Sequence, residues 1–173
     1  MKAEQAITGE VVKPQNVFTI EQIRDGEVVH SEIVTNAVTA AGFNAMLNTF
    51  FGAEAKRANW HVGLIDATGF TAVAEADTMT SHSGWSEFST YSEATRAAWA
   101  ATSSTAKSVT GTVAQTFTIG TVSAKSIQGL FVTDTGTKNG ATGLLWATAL
   151  FGTPVAVATG DTFRVTYTLN LGN

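Results

Sequence analysis

The chain has 173 residues, of which 14% are charged and 44% apolar, whereas an ordinary domain carries about 25% charged residues; uncharged Thr (28) and Ala (26) fill the difference. A net charge of −4 without any cluster of Lys and Arg lacks the electrostatic footprint of a nucleic-acid binder, so no direct nucleic-acid partner is expected. The absence of cysteine removes disulfides, thiolate zinc sites and Cys nucleophiles.

The chain opens on MKAEQAITGEVVKPQN, which has no apolar core of a signal peptide, and no later run reaches the roughly 18 apolar residues of a membrane helix. Neither secretion nor a membrane partner is expected, and the protein is expected to assemble in a cytoplasm. Residues 1–16 fit an N-terminal arm or an edge strand. In residues 17–34 two β-prone runs flank Asp25-Gly26, a strong signal for a hairpin. The period then changes. Phe43, Met46, Leu47, Phe50 and Phe51 recur at helical spacing, with Asn36 or Thr39 able to cap the start and Gly52 to stop the end, which predicts one amphipathic helix within residues 36–51; its stripe is expected to pack into the core, the alternative being a helix-in-groove binding face.

Residues 60–171 supply the main β body. WHVGLID (60–66) has the make-up of a buried strand, and TRAAWAA, SVTGTVAQTFTIG, SIQGLFVTD, GLLWATALF and TFRVTYTLNL follow as short runs separated by Gly, Ser and Thr. In the last, Phe163, Val165, Tyr167, Leu169 and Leu171 alternate with polar residues, so one face is buried and the other solvated. Short strands, one helix and no βα alternation predict one all-β domain over residues 1–173, a mainly antiparallel β-sandwich or jelly-roll-like fold with one inserted helix. TGTKNGATG (135–143) has the composition of a mobile loop; without a following GK[ST] or a helix it is no phosphate cradle.

The chemistry concentrates in DTMTSHSGWSEFSTY, Asp77 to Tyr91. Asp77, His82 and Glu87 have the ligand types for a hard metal ion but form no HxH or HExxH pair. SHSGW lacks the leading Gly and the helix of a strained nucleophile elbow. The Glu residues permit a glycosidase carboxylate pair, but sequence shows no separation across a sugar. A structural loop is the better reading: Asp77 and the hydroxyls satisfy local backbone, Gly84 permits a tight turn, and Trp85 and Phe88 anchor the segment. No catalytic, metal or cofactor residue is assigned. Trp85, Phe88, Tyr91 and Trp99, aromatic residues in charge-poor surroundings, are the candidate interface residues.

The succession WHVGLIDATGFT, ADTMTSHSGWSEFSTYSEATRAAW, KSIQGLFVTD and ATGLLWATALFGTPVAVATGDTFRVTYTLNL resembles small virion structural proteins of tailed bacteriophages, from about Trp60 onward. The resemblance rests on Asp77, His82, Gly84, Trp85 and Glu87 and on the closing GD-x-x-x-V-T-Y-T. It implies a non-enzymatic capsid decoration, cement or minor capsid protein: a homotrimer on the outer surface of the virion, bridging the major capsid protein lattice and assembled in the host cytoplasm. Alternatives are a tail or fibre component, or a carbohydrate-binding module that uses Trp85, Tyr91 and Glu87. Residues 1–59 lie mostly outside the resemblance.

Overall fold

The structure, a computed structural model, describes residues 14–104 and 106–171. Its first element is the expected hairpin: β1 (Pro14–Arg24) and β2 (Glu27–Thr35) meet at Asp25 and Gly26, whose φ angles of 53° and 86° give a turn that matches the twist of the strands. Residues 14–16 belong to β1, which is not an edge, because it runs between β2 and the last strand. Residues 1–13, where the rest of the expected arm falls, lie outside the described residues. Phe18, Ile20 and Gln22 pair in register with Val34, Glu32 and His30. The register then shifts so that Ile23 faces Val28, which leaves Val29 as the extra residue of a bulge.

After β3 (Ala37–Val38), the helix α1, the one helix among the described residues, runs over Ala40–Phe51. It starts four residues later than the expected 36–51, because Ala37 and Val38 pair with a strand of the second sheet. Thr39 caps it, its hydroxyl accepting from the Gly42 N–H at 3.0 Å and donating to the Leu145 carbonyl at 2.6 Å. The strands of the body follow: β4 (Trp60–Asp66), β5 (Ser86–Phe88), β6 (Ala97–Trp99), β7 (Ser108–Thr110), β8 (Gln115–Thr118), β9 (Lys125–Thr133), β10 (Leu145–Val157) and β11 (Thr162–Leu171).

These strands form two antiparallel sheets. One runs β2-β1-β11-β7, with β8 also on β11; the other runs β3-β10-β9-β4-β5, with β6 also on β4. The architecture is an all-β sandwich with one helix, as the alternation in β11 and the turn spacing predict. Phe163, Val165 and Tyr167 face inward and are fully buried, while Leu169 and Leu171 emerge at the strand's end. Tyr167 organises the core. Its ring stacks on Phe18 at 4.4 Å, its hydroxyl accepts from the Trp146 indole at 2.9 Å, and its carbonyl accepts from the Trp99 indole at 3.1 Å.

The outer face of the second sheet is also dry. Ile65, Met79, Trp85, Phe131 and Leu145 form a smaller cluster there, roofed by the segment that connects β4 to β5. Strands covered on both sides carry continuous apolar runs, and β9 is buried from Gly129 through Thr133.

The helix departs from expectation. Its close-packed side is Gly42 and Ala45, not the aromatic stripe, because a Cβ on Gly42 would lie 2.5 Å from the Trp146 carbonyl. Phe43 and Met46 pack partly on the core, but Leu47, Phe50 and Phe51 are 51%, 78% and 87% exposed. Only the first half of the helix lies against β10; the last turn projects past it with its apolar side chains in solvent.

Candidate functional site

The segment Asp77–Tyr91 forms the end of the roof over the second sheet. Asp77 fixes its start: one carboxylate oxygen accepts both the Ala74 backbone N–H at 2.8 Å and the Trp85 indole N–H at 2.9 Å. Thr78 and Ser81 pair through their backbones, and the Thr78 hydroxyl accepts a second bond from the Ser81 N–H, the local side-chain-to-backbone closure that Ser and Thr favour. Gly84 touches the earlier part of the roof, with its carbonyl accepting from the Thr71 N–H at 2.8 Å; a Cβ there would lie 2.2 Å from the Ala72 carbonyl. Trp85 then turns inward onto Phe131, ring centres 5.2 Å apart, while His82 stacks on its other side at 3.9 Å and places Nδ1 3.0 Å from the Trp85 carbonyl.

Asp77, His82 and Glu87 therefore serve different partners and do not converge. Among the described residues no three His, Cys, Asp or Glu side chains come together as a metal site. Glu87 points to the opposite end of the roof, into a buried ion pair with Arg96. Their side chains are 5% and 1% exposed, and the guanidinium meets the two carboxylate oxygens at 3.0 and 2.8 Å, the paired geometry that makes Arg–carboxylate contacts strong.

Arg96 is the residue that sequence reasoning missed. Its remaining N–H groups donate to the carbonyls of Thr135 and Gly140 and to the Thr135 hydroxyl, each at 3.1 Å, and the guanidinium lies 5.1 Å over the Phe131 ring. Glu87 also accepts the Asn139 backbone N–H at 2.6 Å. Lys138 donates to the Tyr91 and Glu93 carbonyls at 2.7 and 2.8 Å and sits 4.0 Å above the Tyr91 ring. The 135–143 loop is thus stapled at several points, which corrects its reading as a mobile connection. The signal was available in the lone Arg of TRAAWAA, a charge set in an apolar run.

The surroundings tune the titratable groups accordingly. Burial, then the Glu87 charge, pushes the Tyr91 phenol well above its ordinary range. Burial, then the Arg96 charge, holds the His61 imidazole below its ordinary value. At the far end of the sandwich the Arg24 guanidinium beside Asp161 brings that carboxyl down to about 2, and Asp161 also accepts from Gln22 and the Ala158 N–H.

The four candidate interface residues do not face outward. Trp85, Phe88, Tyr91 and Trp99 are all at most 8% exposed. The first closes the outer cluster and the other three belong to the main core. Their role as surface contacts is corrected to anchors within one protomer, because a charge-poor neighbourhood marks a protein interior as well as an interface. The hollow beside the start of α1, lined by Val38, Phe43, Val73 and Glu75 among others, has one carboxylate and no basic group. No helix among the described residues is long and apolar enough to cross a membrane. Outward and apolar are the end of α1, Val28, Val29 and Ile33 of the β2 edge, and the separate Val113 and Leu171. No model of a known protein family matches the chain, and neither does any curated protein.

Proposed function

We propose that the protein is a non-enzymatic structural component of a tailed-phage virion, a capsid decoration or minor capsid protein that self-associates as a trimer and attaches to the major capsid protein lattice through the last turn of α1. The observation that carries the attachment is the exposure of Leu47, Phe50 and Phe51, a contiguous group in one turn of helix with the two Phe rings 6.3 Å apart. Exposed apolar patches of a few hundred Å² mark contact sites on otherwise soluble domains. The sequence resemblance supports the virion assignment, and the low charge suits a surface that meets neighbours.

The mode of action is mechanical. Packed DNA strains a capsid, and a protein that bridges neighbouring capsomers adds many small contacts that must break together before the shell opens. Because the protein binds the intact lattice and not free subunits, attachment favours the intact state. The carbohydrate-binding alternative needs Trp85, Tyr91 and Glu87 at the surface, and all three are buried.

The test is attachment of the parent and of a Phe50→Ala/Phe51→Ala double variant to particles that lack the protein. The expected result is saturating binding of the parent in many copies per particle, lost in the variant, whose melting temperature stays at the parental value because neither ring is buried. Undiminished attachment of the variant would sink the helix as the docking element. A small ring of copies at one vertex would favour a tail or fibre component.

A further inference from the structure

We propose that β2 pairs edge to edge, antiparallel, with β2 of a second copy of this chain, centred on Ser31. This inference concerns a different surface from the α1 attachment and does not depend on the virion reading. β2 is the outer strand of its sheet, and among the described residues no backbone hydrogen bond reaches its free side. The hydrogen-bond phase defines what that side offers. Asn36 N–H donates to the Asn16 carbonyl, so the pairs Phe18–Val34, Ile20–Glu32 and Gln22–His30, at steps of two in the same register, are the bonded ones. The N–H and C=O groups of Ser31, Ile33 and Thr35 therefore point away from β1, with nothing to satisfy them but solvent or another strand.

The sequence of the edge is self-complementary about Ser31. In an antiparallel pair with its own copy, Ser31 meets the partner's Ser31, His30 meets the partner's Glu32, and Val29 meets the partner's Ile33. The outward-pointing groups of one strand then fall opposite outward-pointing groups of the other, as a ladder requires. Cross-strand aliphatic pairs stabilise such a ladder, while the Glu32 carboxylate that meets the partner's His30 already accepts the Gly152 N–H at 2.9 Å and lies 3.4 Å from its own His30, so the aliphatic pairs carry the contact. The aliphatic members are already in solvent, Val29 at 51% and Ile33 at 70% exposed. Shifting the centre to Ile33 keeps the hydrogen-bond phase but sets the Glu32 side chain against the partner's Val34 and loses the pairing of Val29 with Ile33.

The bulge limits the contact. At Val29 the strand leaves its regular register, so the straight stretch is short, and bulges of this kind are a device against indefinite edge pairing. A two-fold contact also closes on itself and cannot extend into a fibre. The expected contact is weak and concentration-dependent, and is separate from the one that would hold a trimer.

The chain has no cysteine, so single cysteines report position. Directly bonded antiparallel partners have Cα atoms about 5.5 Å apart, within disulfide reach. Ser31→Cys is therefore expected to give a disulfide-linked dimer under mild oxidation as the main product. Thr35→Cys, exposed on the same strand, would sit about 27 Å from its own copy, eight residues along the ladder, and is expected to form no cross-link. In the uncrosslinked parent, amide exchange at Ser31 and Ile33 should slow as concentration rises. Ser31→Pro should abolish that slowing without loosening the hairpin, since the N–H it removes faces away from β1. Cross-linking of Ser31→Cys no greater than that of Thr35→Cys, or exchange at Ser31 and Ile33 independent of concentration, would overturn the proposal. Replacing Phe50 and Phe51, which tests the lattice attachment, should leave the cross-linking of Ser31→Cys unchanged, so the two contacts fail separately.

Discussion

Replacing Arg96 by Met should be among the most damaging single changes available in this protein. The variant leaves the Glu87 carboxylate, 5% exposed, without its counter-ion and takes donors from the Thr135 and Gly140 carbonyls. Breaking a buried ion pair by removing one partner costs about 3–5 kcal/mol, and each carbonyl left dry adds about 1 kcal/mol. A loss of at least ~4 kcal/mol is a large share of a typical domain's ~5–15 kcal/mol. Urea unfolding followed by tryptophan fluorescence reads it as a lower midpoint at unchanged slope. The decisive comparison is the double variant Arg96→Met/Glu87→Leu. Removing both charges deletes the stranded carboxylate, so the double variant should be more stable than Arg96→Met alone, although the Asn139 N–H loses its acceptor. Arg96→Lys keeps the charge without the planar fork and should fall between parent and Met variant. A Met variant within 1 kcal/mol of the parent, or a double variant no better than the single, would refute the view that this pair holds the roof and the 135–143 loop together.

Trp85→Ala should cost about 3–5 kcal/mol, as for other buried aromatic truncations, with the roof losing protection from amide exchange before the main core does; exchange that changes uniformly would argue against the two separate clusters. Phe50→Ala, in contrast, should shift stability by no more than about 0.5 kcal/mol because its ring is in solvent, while Phe18→Ala, fully buried against Tyr167, should cost about 3–5 kcal/mol; equal effects in thermal unfolding would overturn the placement of the helix. Asp161 titrates at about 2 in the folded state and near 3.9 when unfolded. It therefore contributes stability that is fully present above about pH 4 and lost as pH falls towards 2. Asp161→Asn should be less stable than the parent at neutral pH and show a shallower decline across that window, measured by urea midpoints; parallel curves would remove Asp161 as a source of acid sensitivity.

Much of the architecture was legible because it depends on short-range chemistry. Asp25-Gly26 encodes its turn through two residues that tolerate positive φ, and strict alternation in Phe163–Tyr167 leaves one face for the core. The helix was legible in existence but not in orientation. Periodicity finds a stripe at Phe43, Met46, Leu47, Phe50 and Phe51, but which side packs depends on how near the partner strand approaches, and that is set by Trp146 more than a hundred positions away. Of the roof, the local part could be foreseen: Asp77, the hydroxyls, Gly84 and Trp85 act within a few residues of one another or on the sheet directly beneath. The Glu87–Arg96 pair and its grip on residues 135–140 could not, since nothing in either segment records the other. The low charge was ambiguous for a physical reason: an aromatic residue among small uncharged neighbours is equally suited to a core and to an interface, and Trp85, Phe88, Tyr91 and Trp99 went to the core.

The pairing of β1 with β11 has a consequence for how the chain reaches this state. Pro14 lies opposite Leu171, and the two strands stay in register for ten residue pairs. During synthesis the hairpin emerges well before β11, the neighbour that completes it. Until then Phe18 and Ile20 lack the adjoining strand, and the inner side of β1 is an open edge. The loop that must close runs from Ile23 to Thr162, which slows the search without greatly penalising the finished fold. The sandwich should therefore form only after the ribosome has released β11. A hairpin waiting in that condition is open to pairing with another nascent chain, so yield in a heterologous host should depend on how quickly synthesis reaches Leu171 more than on the stability of the completed protein.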